Sequence, residues 1–322
     1  MENNTSSTPG EDQSGPGPVT ETKKESFFGK IHNPGFTWRD SIFTAIVLAF
    51  LFTMVFAGIT AIPVKIILDL ILPESDFAAA FSSYMEMISL WITVLPYIAL
   101  TKYNRPILRA LWTEAKGNTV KMFMLGLLTG FLQNTFCIVI AVLHKDIYLS
   151  FDSLHLPEML ALLLAVFVQS SAEELICRGL IYQRLRKGYR SPWIAIIGNS
   201  AIFSLLHLFN SGVTALSLLN ILIVGVFYSL IVYYFDSIWF PMAAHTAWNY
   251  TQNLIFGLPN SGLVSPFSVM KLEAGTARNS FAYNVGFGVE GTLLACIVLG
   301  VSSLLAVYLG RKHNQPSLDI WA

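Results

Sequence analysis

The chain has 322 residues, of which 54% are hydrophobic and 12% charged, with a mean hydropathy of +0.57. Soluble domains carry roughly 25% charged residues, so this chain has too little polar surface to coat a soluble fold, and a formal net charge of +0 leaves no basic footprint for nucleic acid. The cysteines, Cys137, Cys177 and Cys296, lie apart in or beside apolar segments, which argues against a disulfide framework or a zinc cluster.

In chain order, residues 1–35 are rich in Ser, Thr, Pro, Gly and Glu and contain no apolar run. They read as a disordered cytoplasmic tail without the pattern of a signal peptide. A spanning helix needs about 20 mostly apolar residues. Eight segments qualify or come close: 41–62, 83–101, 119–143, 157–183, 192–209, 213–235, 238–257 and 288–310. The fifth and seventh are the least apolar, and both carry histidine. Pro63 and Pro241 fall at or near segment ends, where a helix tolerates proline. No strand-period alternation competes over these lengths. The expected fold is an all-α polytopic transmembrane bundle of about eight spans. Length alone would suggest about two soluble domains, but the apolar runs point to one membrane bundle.

Lys and Arg in short connections set orientation. The connection after the second segment holds Lys102, Arg105, Arg109, Lys116 and Lys121. The one after the fourth holds Arg184, Arg186, Lys187 and Arg190, and Arg311 and Lys312 follow the eighth. The connections after the first and third segments are poor in positive charge: Asp69, Glu74 and Asp76 accompany Lys65, and Lys145 is set against Asp146 and Asp152. This alternation predicts a multi-pass protein of the cell membrane with both termini in the cytoplasm.

Ionisable residues inside spans are functional candidates. The fourth segment carries Glu173, Glu174 and Arg178, the fifth Phe203 and His207, and the seventh His245 and Asn249. Glu174 and Arg178 are four apart and can pair on one helix face; Glu173 is rotated by about 100° from Glu174. His245 and Asn249 are also four apart, and Gln252 or Asn253 continues their stripe. Counting from the basic ends at 1.5 Å per residue puts Glu173 about 16–25 Å up, His207 about 22 Å, His245 about 10 Å and Asn249 about 16 Å. These depths overlap near the middle of a core about 30 Å thick. A carboxylate beside an imidazole can deprotonate water, and amide and imidazole donors can hold an oxyanion. Histidine and glutamate are also zinc ligands, although the His-Glu-x-x-His spacing of a zincin helix is absent. Taken singly, each group also has an architectural reading: Glu174 with Arg178 as an ion pair, His207 and Asn249 as interhelical packing or hydrogen bonding, and Cys177 as packing.

Glu-Glu-x-x-x-Arg, Phe-x-x-x-His and His-x-x-x-Asn, in that order on successive apolar helices, resemble the type II CAAX prenyl endopeptidases. These belong to the CPBP group of intramembrane proteases, which includes bacteriocin-processing and lysostaphin-resistance-protein-A-like members. Gly179 after Arg178 and Pro241 before His245 strengthen the resemblance, which covers about residues 157–257. It implies an intramembrane glutamic endopeptidase acting on peptide or lipidated protein substrates in the bilayer. Glu173 with His207 would activate water, His245 and Asn249 would form the oxyanion hole, and Glu174, Arg178 and Phe203 would support the site. A glutamate mechanism needs no metal or other cofactor; zinc is the alternative. The chain then divides into residues 1–35, N-terminal transmembrane helices 36–156, a catalytic core 157–257, and 258–322 with an external loop, the last helix and a short cytoplasmic tail. A non-catalytic immunity or scaffold protein of the same fold is the competing reading. A transporter ranks last, because neither repeated halves nor matched broken helices are visible.

Overall fold

The computed structural model describes residues 1–2, 26–313 and 317–321. Eight main helices follow one another as an up-and-down bundle. They are α1 (Ile42–Ile71), α2 (Asp76–Leu100), α3 (Val120–Leu143), α4 (Leu156–Gly188), α5 (Pro192–Leu206), α6 (Ala215–Phe235), α7 (Trp239–Asn249) and α8 (Leu293–Lys312). Their starts follow from local chemistry. Ser75 caps α2 by accepting from the Ala78 amide at 3.1 Å, and Thr119 caps α3 through Met122 at 3.2 Å. Pro192 opens α5 without an amide to leave unpaired. Thr214 and Ser217 form a reciprocal box at the start of α6, and Asp236 ends that helix in the left-handed region at φ 54°.

Six of these helices are long and apolar enough to cross a membrane, all except α5 and α7. This is fewer than the eight segments read from hydropathy. At 15 residues, α5 is about 22 Å long, and His207 already belongs to the turn that ends it. The α7 helix runs 11 residues before a π-helical turn, Tyr250–Ile255, extends it. Several boundaries also move. The first helix continues to Ile71, so Pro63 sits inside it rather than at its end. The second begins at Asp76, where the helix buries the small residues Ala78, Ala80 and Ser82, which hydropathy undervalues. The outward faces of α1, α3 and α8 expose Ile59, Ile66, Leu128, Leu132, Val301 and Leu304, inverting the pattern of a soluble bundle.

The expected tail departs from its reading in one part. Residues 3–25 lie outside the described residues. Residues 26–35 do not lack structure: Phe27–Ile31 is a short helix capped by Ser26. Asn33 then donates to the carbonyls of Arg186, Lys187 and Tyr189 at 3.3, 3.0 and 3.0 Å. Those are unpaired acceptors at the end of α4, so the segment is held by capping another helix rather than by an apolar core of its own.

The connections fall at two ends. Arg184 meets Asp40 at 2.7 Å, and Asn118 accepts from the Ile238 amide at 2.9 Å, at the end that carries the basic clusters. At the other end, strand β1 (Leu149–Phe151) pairs antiparallel with β2 (Met270–Leu272). Asp146 there binds His144, Arg278 and Ser280. Burial alone would raise the Asp146 carboxyl, but the hydrogen bonds from Ser280, His144 and Arg278 outweigh it and hold it below the usual carboxylate range.

Small residues bring α7 to its place. A Cβ on Gly126 would lie 2.4 Å from the Phe240 carbonyl oxygen, and one on Gly130 would lie 2.1 Å from that of Ala244. The α3 and α7 backbones therefore meet directly, with glycines four apart and Ala243, Ala244 and Ala247 facing in. Gly225 lets α6 approach Ser200 of α5 in the same way. We predict that Gly130→Leu lowers the thermal unfolding midpoint in detergent by the equivalent of about 1–3 kcal/mol, the usual effect of overpacking. Gly58→Ala, where no atom lies within 4 Å of the added carbon inside the helix, should leave it the same or raise it by the equivalent of up to about 1 kcal/mol. A Gly130→Leu midpoint equal to that of the native chain would contradict the direct contact.

Candidate active site

Arg178 is the largest fully buried side chain among the described residues. Its guanidinium donates to Glu174 Oε1 at 3.0 Å and to the Gly225 carbonyl at 3.3 Å. The guanidinium carbon lies 4.5 Å from the Phe203 ring centre and 5.5 Å from that of Tyr228. Phe203 of the Phe-x-x-x-His motif is therefore a cation–π platform for a charge held away from water. Glu174 Oε1 also accepts from His245 Nδ1 at 3.0 Å. That bond turns the other ring nitrogen, Nε2, toward Glu173 Oε2 at 3.9 Å. His245 thus stands between the two adjacent carboxylates, and the rotation of Glu173 relative to Glu174 is what opens the gap.

His207 is placed differently from its expected partner. It makes no ion pair with Glu173; its Nδ1 donates to the Phe203 carbonyl at 2.9 Å. A carbonyl can only accept, so the proton sits on Nδ1 and Nε2 is left for the cavity. The imidazole beside Glu173 belongs to His245. The helical rise put both histidines at overlapping depths without settling which one faces the carboxylate.

A second chain of contacts reaches Glu173 from above. Gln169, one turn earlier on α4, donates to Glu173 Oε1 at 2.5 Å and accepts from Asn249 Nδ2 at 3.0 Å. A longer contact of 3.4 Å joins Asn249 Nδ2 to Ser170 Oγ. Asn249 Oδ1 accepts from Asn260 at 3.1 Å, and Asn260 donates equally to Glu290 Oε1. Glu290 also receives Trp248 Nε1 at 3.0 Å, the Ser261 amide at 2.7 Å and the Ser261 hydroxyl at 3.0 Å. Gln252 and Asn253 extend the stripe by tying down the following loop, through Pro259 and through Leu258 and Leu263 respectively.

Gln169, Asn260 and Glu290 were not among the residues read from sequence. Gln169 carried a usable signal, since it is four residues before Glu173 on the same helix face. Asn260 and Glu290 lie in the long connection before α8, and only tertiary structure brings them here. Trp248, beside Asn249 on α7, is buried and donates to Glu290.

Glu173, Phe203, His207, His245 and Asn249 all line one cavity of about 480 Å³. Glu174 and Arg178 lie directly behind its wall. Three helices have a π-helical turn where they border it: Leu51–Phe56 in α1, Leu175–Ile181 in α4 and Tyr250–Ile255 after α7. Such turns widen a helix locally and recur at functional sites. The described His, Cys, Asp and Glu residues include no group of three or more arranged to hold a metal ion.

The paired carboxylates, the two histidines and Asn249 thus gather at one cavity within an all-α, multi-pass membrane bundle. Residues 155–251 match the family model described as type II CAAX prenyl endopeptidase Rce1-like. The match spans the segment holding all seven residues of the cluster and leaves the flanking helices outside it. Searches of curated proteins and of solved structures gave no match.

The Glu290 contacts yield a direct test. Every group around this carboxylate donates, so Glu290→Gln replaces an acceptor by a donor facing donors. That substitution should lower the unfolding midpoint by the equivalent of about 1–3 kcal/mol, the effect of leaving buried groups unpaired. Glu273→Gln, on the exposed loop, should have no effect. An unchanged Glu290→Gln midpoint would show that the acceptor is dispensable.

Proposed function

We propose that the chain is an intramembrane endopeptidase in which Glu173 activates water for attack on a peptide bond. The observation that carries this reading is the position of Glu173. Its carboxylate borders the cavity, is held by Gln169 at 2.5 Å, and faces His245 Nε2 at 3.9 Å. Glu173 takes the proton from water as the oxygen attacks the carbonyl carbon, and later passes it to the departing amine. His207 Nε2, left free by the Phe203 contact, is the second group able to relay a proton there.

The negative charge that develops on the carbonyl oxygen needs donors. One Asn249 N–H is committed to Gln169 at 3.0 Å; the other has only the 3.4 Å contact to Ser170 and is the one to turn to the substrate. His245 supplies the second donor when it carries protons on both nitrogens. In that state Glu173, Glu174, Arg178 and His245 sum to zero charge, the form that best suits a buried cluster. Glu174 and Arg178 act through His245, holding its ring by the Nδ1 contact.

No metal takes part in this reading. The Nδ1 contacts of His245 and His207 leave both Nε2 atoms open, as they would be in a zinc ligand, so chelation separates the glutamate mechanism from a metal site. Membrane partners and peptide substrates follow from the same proposal. A scaffold of the same fold would need none of Glu173, His207, His245 or Asn249.

Glu173→Gln keeps the side-chain shape and removes the base. Membranes carrying this variant should lose proteolysis by roughly 10²-fold or more, measured as peptides that appear only with the native chain. Treatment of the native chain with a strong chelator should leave cleavage intact. Cleavage by Glu173→Gln at the native rate would end the glutamate mechanism, and loss on chelation with recovery on added zinc would replace it with a metal site.

A further inference from the structure

The cavity has its floor at the level of Glu173, partway along α4, and its mouth at one end of the bundle. Its lining rises from Glu173 through Ser83 and Asn210 to Ser261, Leu263 and Val264. Leu263 and Val264 are 72% and 63% exposed, which puts the mouth among the connections that follow α5 and α7. No residue of the connections 101–119, 189–191 or 236–238 contributes to the lining. One turn below Glu173 the lining ends at Ile176 and Cys177; beyond them Leu180 and Leu185 are fully buried, and Gly179 packs on Leu111 and Ile238.

The two ends also differ in charge. The closed end bears the basic clusters of residues 102–121 and 184–190. At the mouth end the positive groups are few and set against acids, with Lys65 at 3.6 Å from Asp69, Lys271 at 3.0 Å from Asp152 and Arg278 at 3.2 Å from Asp146. Positive charge in short connections marks the cytoplasmic side. The lining itself contains no Lys or Arg among the described residues, and it includes the apolar Met54 and Leu206, with Leu263 and Val264 at the mouth. Arg178, the nearest cation, is fully buried behind the wall and committed to Glu174. No Lys or Arg in the cavity would pair with a free C-terminal carboxylate, and His245 is already set between Glu174 and Glu173, so the desolvation of such a group would go largely uncompensated.

We infer that the site opens to the extracytoplasmic side and takes an uncharged, apolar stretch within a polypeptide that reaches it from that side. The substrates are exported or membrane-anchored chains cut near the outer leaflet. The inference rests on the proteolytic reading above for its substrate, and on charge and cavity geometry for its side.

The two parts separate experimentally. The native cysteines are all buried, so cysteines introduced at exposed Leu263 and Thr113 report on the two ends. In intact cells an impermeant maleimide should label Leu263→Cys and spare Thr113→Cys until the membrane is permeabilised. The reverse pattern would overturn the assignment of sides without touching the proteolytic reading.

Sealed vesicles of either orientation, holding the native chain, are then given quenched fluorescent peptides. One set has uncharged apolar cores with blocked ends; the other has the same residues with a free carboxylate at the scissile end. Blocked apolar peptides should be cut by vesicles with the extracytoplasmic face outward, and by the opposite vesicles only after detergent. In detergent they should be cut at least 10-fold faster than the free-carboxylate set, and Glu173→Gln should abolish the signal. Cleavage from the cytoplasmic face, or a preference for the free carboxylate, would overturn the inference while leaving the protease standing. No Glu173-dependent cleavage in any condition would overturn the proteolytic reading and the substrate inference with it.

Discussion

A guanidinium held entirely away from water constrains everything around it. Arg178 has no exposed surface, and an unpaired charge in that position would cost several kcal/mol even after relaxation. Glu174 supplies the opposite charge, the Gly225 carbonyl accepts a further bond, and Phe203 and Tyr228 offer their ring faces. The partners come from three helices: Glu174 from α4 itself, Gly225 and Tyr228 from α6, and Phe203 from α5. The pair therefore fixes how three helices meet, and removing either member is expected to be far worse than never having had the pair. Its second consequence is chemical. Because Glu174 Oε1 is shared with His245 Nδ1, the ring of α7 is locked to α4, and its other nitrogen is turned to Glu173.

The backbone is shaped to permit that meeting. Glycines on α3 and alanines on α7 let two helices touch at the main chain, which brings His245 and Asn249 within reach of α4. The π-helical turns at Leu175–Ile181 and Tyr250–Ile255 begin one residue after Glu174 and Asn249 respectively. Each helix thus changes its winding just past the residue it delivers to the site. From the loop side, Glu290 and Asn260 continue a run of hydrogen bonds through Asn249 and Gln169 to Glu173, so the long connection before α8 is part of the site's support.

Much of this was legible in the residues alone, for identifiable reasons. Apolar runs and the scarcity of charge made the membrane bundle readable, and the i, i+4 rule paired Glu174 with Arg178 and put His245 with Asn249 on one stripe. The motifs also resembled the family whose model matches residues 155–251. Helical rise could put His207, His245 and Glu173 at similar depth but not choose between the imidazoles, because that choice depends on helix rotation and on the Phe203 carbonyl. Hydropathy drew α5 and α7 longer than their regular helices, because it does not register that α5 ends in a turn at His207 or that α7 changes to π winding after Asn249. The helix at Phe27–Ile31 escaped notice because Asn33, a capping residue for a helix over 150 positions away, holds that segment in place.

The central claim is that Glu174 matters to catalysis only by holding His245 for Glu173. A double-mutant cycle on kcat tests this most directly, using Glu173→Gln, Glu174→Gln and the pair together in detergent-purified protein. Residues that act as one unit lose their effects non-additively. The double variant should therefore be no slower than Glu173→Gln alone, with Glu174→Gln alone already well below the native rate. Losses that multiply across the cycle would mean that the two carboxylates act independently, contradicting the linkage through His245.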